Sequence, residues 1–496
     1  MLPFMAKTLP GAALSAAACA LLCSCATHET ESRKMRESFY AGNYAAAASE
    51  ASSIASSKSG SGDELVWRLE SGAASRWAGD AEGSAREFSR AFSLVEGFDA
   101  SPEVSISDEA GALMTNQSYL PYRAYSYDRI MMGCYQALNC MSMGDMEGAS
   151  VALKRVENFQ ADAERRNADR IEKSLKNASS YSGRTVEGAD GNEASLYDAS
   201  RAYGDVSFAS SLRSVYGAGA ADVPKSRSQL AESLRGIYVN PFAYWLDGLF
   251  YMANASDLSE ASRAADDFRL ALEMQPSNPY LAEDLRAAEN FASTGRMAPV
   301  TYVIFETGCA PIRSQTRIDI PMFAATKDVP YVGVSFPVLA YSQAYEPRLS
   351  VLSSGVFYVP QPLADMDAII TREFNSDLPV VVAKTLLSAG TKAAIQFGIQ
   401  EAARQADNSA LLIAAMISGS VYQAAMNDAD LRTWTTLPKA VSYSRFPTPA
   451  NRKILVDSNI EVELDDALIN VVCVRRTFPG TPLSVLKFSM RKEEKK

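Results

Sequence analysis

Histidine is nearly missing: His28 is the only one among 496 residues. It lies three residues after Cys25, in what reads as a polar tether, so the folded body is expected to carry no imidazole. That excludes Ser-His and Cys-His nucleophile pairs, histidine general bases and histidine-ligated metal sites. A cationic excess is missing too. The formal net charge is −10, which argues against nucleic acid and anionic lipid surfaces, since both attract basic patches. The sequence has no phosphate-cradling glycine loop, nucleophile elbow or metal-ligand cluster, and no cofactor is expected. Cysteine is sparse, with seven in all. Cys134 and Cys140 fall on one expected helix, six residues apart and about 120° from a shared face, which makes them poor partners. Cys309 and Cys473 both lie in the C-terminal half, where a bridge and two free buried thiols are both open.

What is present begins with an address. Lys7 is followed by an uncharged Ala/Leu-rich run and then by Leu22-Cys23-Ser24-Cys25. This is the shape of a removable bacterial export signal that ends in a lipobox, and it is too short for a spanning helix. Residues 1–24 are read as a lipoprotein signal peptide and Cys25 as the lipidated residue, with an ordinary secretory signal as the alternative. Several acyl chains hold stably where one is marginal, because each buried CH2 adds about 0.8 kcal/mol. Ala26 follows Cys25, where an aspartate would retain an enterobacterial lipoprotein at the inner membrane. The expected location is therefore the outer membrane, lipid-anchored and facing the periplasm.

The balance of 47% hydrophobic and 21% charged residues is that of a globular chain with material for real cores. After a tether at 25–34, residues 35–298 read as helical, with an internal repeat. Gly42-Asn43 is followed by Ala47, Ala51 and Ile54, Gly79-Asp80 by Ser84, Phe88 and Ala91, and Gly144-Asp145 by Ala149, Leu153 and Val156. A fourth copy keeps Ala264, Phe268 and Ala271, then Pro276. A small residue, then a larger one, then a closing proline resembles the second helix of a tetratricopeptide repeat. One helix pair cannot bury its own apolar stripe, so neighbours stack. The copies are unevenly spaced, so the expected array is a degenerate TPR-like α-solenoid, with a coincidental helical bundle as the alternative. A loop-rich insert with short helices is expected near 177–228.

The pattern turns to strands near Pro299. Residues 299–490 read as a β-rich, sandwich-like domain with a helical hairpin inserted at 379–427, which makes the chain α+β overall. Strands are expected at 300–305, 440–446, 453–456, 459–464 and 467–477, and helices at 363–375 and from Pro379 onward. Residues 408–427 carry no charge, and Ala410, Ala414 and Ser418 form a small-residue ridge. A membrane-inserting hairpin is one reading of this stretch, and a hairpin packed in its own domain or in a homo-oligomer is the other. Glu461, Glu463 and Asp465 alternate on one strand face, the pattern of a wet edge or of a Ca2+ site.

Two stretches carry a resemblance. One is Glu306-Thr-Gly308-Cys-Ala310-Pro311 with Arg313, then Arg317-Ile-Asp-Ile-Pro321. The other is Asp430-Leu-Arg432-Thr-Trp434-Thr-Thr-Leu437-Pro438 running into Arg445-Phe446-Pro447. With Tyr135-Gln-Ala-Leu and Gly144-Asp145, these resemble a family of uncharacterised bacterial tetratricopeptide-repeat-containing lipoproteins. Genes of that family often neighbour one for an outer-membrane activator of peptidoglycan synthases. The resemblance implies a cell-envelope role linked to cell-wall synthesis and implies nothing catalytic. Read from the residues alone, Asp430, Arg432, Trp434, Leu437 and Pro438 form a structural lock or a recognition surface. The expected function is binding or scaffolding among envelope proteins. A pore-forming component using 379–427, and an enzyme acting on envelope glycans without histidine, are the alternatives.

Overall fold

The computed structural model describes residues 28–100, 120–181, 185–187, 193–195, 206–217, 236–255, 257–321, 331–405 and 429–492. The chain is α+β. Helices α1 (His28–Tyr40), α2 (Tyr44–Ser57), α3 (Glu64–Trp77), α4 (Ala81–Ala100), α5 (Ser126–Met143) and α6 (Met146–Tyr181) come first. After strands β1 (Thr185–Glu187) and β2 (Glu193–Ser195) come α7 (Val206–Tyr216), α8 (Pro241–Asn254), α9 (Leu258–Met274) and α10 (Pro279–Thr294).

The turns between these helices follow from a few residue types. Gly42, Gly79 and Gly144 each adopt a positive φ of 78–86°, which glycine reaches without strain. The next residue then caps the following helix: Asn43 accepts from the Ala46 N–H, Asp80 from Gly83 and Asp145 from Gly148. Helices α8 and α10 start on Asn-Pro, with Asn240 and Asn278 as caps and proline in the first turn, where its missing N–H costs nothing.

Strands β3 (Val300–Thr307), β4 (Ile312–Pro321), β5 (Tyr331–Ala340), β6 (Val351–Ser353), β7 (Val356–Tyr358) and β8 (Gln361–Asp365) lead into helix α11 (Met366–Gln405). Strands β9 (Ala440–Pro447), β10 (Lys453–Val456), β11 (Ile460–Glu463), β12 (Ala467–Arg476) and β13 (Ser484–Lys492) complete the described chain. The largest sheet has the order β13-β12-β3-β9-β8, with β12 and β3 parallel and the other pairs antiparallel. A four-stranded sheet has the order β11-β10-β6-β7, and β4 pairs β5 in a ten-residue antiparallel ladder.

The central strand β3 is buried along its whole length, and its two faces meet different layers. Val303 and Phe305 point one way and join Val472, Val474, Phe446, Ile454, Val456 and Val351, the core between the two sheets. Tyr302 and Ile304 point the other way and join a continuous core that runs from Met35 in α1 through the helices to Met490 in β13. The helices therefore cover the second face of the five-stranded sheet.

Four expectations need correction. The tether is helical from His28 onward, because Ser32, Met35 and Phe39 are buried on one face and His28 lies against Trp67, with ring centroids 5.1 Å apart. The chain's one imidazole is thus inside the folded body. Pro379 lies within α11 instead of opening a new helix, and residues 363–365 belong to β8. An internal proline costs about 3 kcal/mol, but Leu378 and Val380 on either side are buried, Val380 with Ala163, Ala168 and Ile171 of α6. The second half of the 379–427 hairpin lies outside the described residues from 406. Within 177–228, where short helices were expected, α6 runs on to Tyr181 and the short helix α7 docks on the β4–β5 ladder: Phe208 meets Phe336, and the Tyr216 hydroxyl donates to the Pro337 carbonyl at 2.6 Å.

Candidate functional site

The segment singled out by sequence, 430–438, runs without regular structure into β9, along the seam between α3, α5 and the large sheet. Its first residues are fixed by charge. Asp430 and Arg432 form a two-pronged pair at 2.7 and 2.9 Å, the Arg432 backbone N–H also donates to Asp430, and the guanidinium reaches Asp63, just before α3, at 3.0 Å. Burial pushes the Asp430 carboxyl up, but Arg432 outweighs it and holds the group below the usual carboxylate range. His28 faces the same cluster. Burial pulls its imidazole down to about 4, against the upward pull of Asp63, so it stays neutral above that pH.

Trp434 is 1% exposed and packs against Phe88 of α4 and Tyr135 of α5, each with ring centroids 5.9 Å away. Its indole N–H donates to the Thr436 hydroxyl at 2.8 Å. Between these contacts the Glu70 carboxylate on α3 accepts four hydrogen bonds, two from the backbone N–H groups of Thr435 and Thr436 and two from their hydroxyls. Leu437 and Pro438 are buried at the entry to β9. They sit beside the other sequence-marked turn, since the Ala310 N–H donates to the Leu437 carbonyl and the Lys439 N–H to the Thr307 carbonyl, both at 3.0 Å. Gly308 has φ +67°, and a Cβ there would lie 2.8 Å from Lys439 and 2.9 Å from Tyr345. The structure brings Gly308, Pro311, Leu437 and Pro438 to one end of the β3–β9 pair. Asp430, Arg432 and Trp434 lie farther along the seam. Cys25 lies outside the described residues.

A second polar cluster crosses the same seam and was missed from sequence. Asp284 of α10 accepts from the Trp245 indole at 3.1 Å and from the hydroxyls of Tyr302 and Tyr443 at 3.0 and 2.7 Å, and it pairs with Arg445 at 2.8 Å. Nearby, the Tyr135 hydroxyl donates to Glu306 at 2.6 Å, and Arg76 reaches Asn139 at 2.8 Å. The available signal was an acid inside an apolar stripe: Asp284 sits among Leu281, Ala288 and Phe291 on the buried face of α10.

Chemically, the seam fastens the chain to itself. Arg432, Trp434, Thr435, Thr436 and Glu70 are all buried, and each is engaged by another part of the same chain. Two of the three alternating acids at the far edge are paired, Glu461 with Lys453 at 2.7 Å and Asp465 with Lys487 at 3.2 Å. Among the described residues no group of three His, Cys, Asp or Glu side chains is placed to hold a metal ion. Compared with protein-family models, with curated proteins and with solved structures, the chain matches none.

Proposed function

We propose that this chain is a lipid-anchored binding or scaffold protein of the cell envelope, attached through Cys25 at the outer membrane and facing the periplasm. Its helices form a degenerate TPR-like array, and its two larger sheets stack as a β-sandwich beneath them. The observation that carries this reading is a repeated close contact. Gly133 and Gly248 are each followed sixteen, twenty and twenty-three residues later by the same kinds of side chain, Ala149, Leu153 and Val156 in one case and Ala264, Phe268 and Ala271 in the other. A Cβ on Gly248 would come within 2.8 Å of the Phe268 ring, and one on Gly133 would overlap Val156. Gly72 meets Phe88 in the same way at 2.7 Å, sixteen residues on, across a similarly short connection. A bare backbone on the first helix, met by a bulky side chain from the second, is how such helix pairs approach closely.

In an open array the first helices would line a groove for a partner. Here α3, α5, α8 and α10 hold the chain's own 430–438 segment and sheet. Partners therefore dock on the outer helices or on the exposed edges, and the protein works by binding instead of turnover. Crosslinking in envelopes, followed by pull-down of the full chain, should return the same partner proteins reproducibly. Turnover on a panel of peptidoglycan or glycan substrates would sink the reading. The anchor is tested separately: Cys25→Ala should leave the membrane fraction and escape normal processing.

A further inference from the structure

Away from the seam, α6, α8 and α9 enclose a cleft of about 310 Å3, at the lower end of the roughly 300–1,000 Å3 of small-ligand sites. One side is apolar, built from Leu153, Val156 and Ala243. The other side carries Asp247 of α8 and Asp267 of α9, and neither has an ion-pair partner within 4 Å among the described residues. Gln160 of α6 also lines the cleft and is only 9% exposed. Its side-chain oxygen is taken by the Asn240 N–H at 2.8 Å. Its amide nitrogen has no hydrogen-bond partner among the described residues and is open to the cleft, where it can donate to a ligand.

We propose that this cleft binds an alkylammonium group of the lysine type: Asp247 and Asp267 take the ammonium, the three apolar residues pack the aliphatic stem, and the Gln160 amide donates to an oxygen of the same ligand. The proposal stands independently of the envelope-scaffold reading. The charge balance around the site supports a cation. Glu157 is already paired with Lys154 at 2.6 Å, and the Arg263 guanidinium lies over the Tyr251 ring at 4.3 Å instead of on either aspartate. Arg263 lowers both carboxyls through its charge but makes an ion pair with neither, so no cation of the described residues is in direct contact with the two aspartates. The donors are too few for a divalent ion, which takes about six to eight oxygen ligands as Ca2+.

Proton release distinguishes this site from a sticky acidic surface. Burial, followed by the Asp247 charge, pushes Asp267 up to about 8, and burial pushes Asp247 up to about 6. The other charged groups facing the pair are Glu157 and Lys154 on α6 and Arg263 and Asp266 on α9, with the Tyr244 phenol kept protonated by burial. At pH 7 Asp267 is mostly protonated, and an arriving ammonium favours its ionised form. Binding near pH 7 therefore expels a proton.

The experiment is calorimetric titration of the full chain with Nα-acetyl-L-lysine methylamide in buffers of different ionisation enthalpy, with the norleucine analogue as the uncharged control. The lysine probe should bind with release of up to one proton, and more tightly at pH 8.5 than at pH 6. The norleucine probe should bind at least tenfold more weakly. Asp267→Asn should weaken the lysine probe about tenfold or more and abolish proton release. Gln160→Leu should weaken it severalfold while leaving proton release in place. Circular dichroism melting checks that both variants fold. Equal binding of the two probes, no binding at millimolar concentration, or unchanged proton release in folded Asp267→Asn would each overturn the proposal.

Discussion

Glu70 and Thr436 stand 366 residues apart in the chain, yet the threonine donates both its backbone N–H and its hydroxyl to one oxygen of the carboxylate, at 3.2 and 2.7 Å. Thr435 does the same to the other oxygen. An early helix thus closes the segment that leads into β9. Glu70→Ala would leave two backbone donors buried without partners, each costing about 1–3 kcal/mol. The expected loss is about 3 kcal/mol or more, read as a lower denaturant midpoint. Glu70→Gln keeps the shape and part of the bonding and should lose less. Equal losses for the two variants would show that packing, and not the hydrogen bonds, holds the seam.

The glycine contacts make a prediction of opposite signs. Gly72→Ala and Gly248→Ala push a methyl into Phe88 and Phe268, at 2.7 and 2.8 Å. Overpacking of this kind costs about 1–3 kcal/mol. Gly97, inside α4, has nothing within 4 Å of a built Cβ. Gly97→Ala should therefore stabilise by about 0.5–1 kcal/mol through the lower entropy of the unfolded chain. Urea unfolding of the three variants checks the pattern, and a uniform destabilisation would contradict it.

What the sequence made legible was periodic. The bounds of β9 to β12 fall within one residue of the expected strands, because alternation and flanking turns mark them locally. The helices after these turns were visible through a small residue followed four and seven positions later by further small or apolar ones, as in Ala264, Phe268 and Ala271. Their partners Gly72, Gly133 and Gly248 were not, since a lone glycine in a helix looks like a defect until the facing ring is known. His28 was misplaced for a related reason: the helix around it is mostly polar, and only Ser32, Met35 and Phe39 reveal a face. The seam network and the cleft were beyond reach. Asp247 and Asp267 are twenty residues apart on separate helices, and only tertiary packing joins them.

The thiols give a third test. Cys134, Cys140, Cys309 and Cys473 are free and buried. Burial pushes the last three up to about 11 and Cys134 higher still, so almost none is thiolate at neutral pH. A thiol reagent such as DTNB should find none of the four in the folded chain and all four in denaturant. Reductant should leave the melting temperature unchanged. A rapid native reaction at any of these positions, or a melting point lowered by reductant, would contradict the free and buried assignment.

The pH dependence of stability follows from groups on both sides of neutrality. Burial pushes Asp128 up to about 7 beneath Tyr122, and burial together with Asp377 pushes Glu373 up to about 7 where it caps α5 through the Ser126 and Tyr127 N–H groups. Asp247 and Asp267 are raised to about 6 and 8. For all four, the folded chain holds its protons more tightly than the unfolded chain, whose carboxyls titrate near pH 4. Their contribution to stability therefore falls as pH rises from about 4 to each folded value. His28 runs the other way: its folded value is about 4 against 6.5 unfolded, so its contribution rises with pH between those limits and is flat above them. Above pH 6.5 the raised carboxylates remain in play, joined toward pH 8.5 by the buried thiols, which pull the same way. The melting temperature should fall between pH 6.5 and 8.5, and Asp267→Asn should flatten the upper part of that decline, because its window extends furthest among the four carboxyls. A melting temperature that holds steady or climbs over this range, or an Asp267→Asn variant with the wild-type slope, would show that these carboxylates are not protonated in the folded chain.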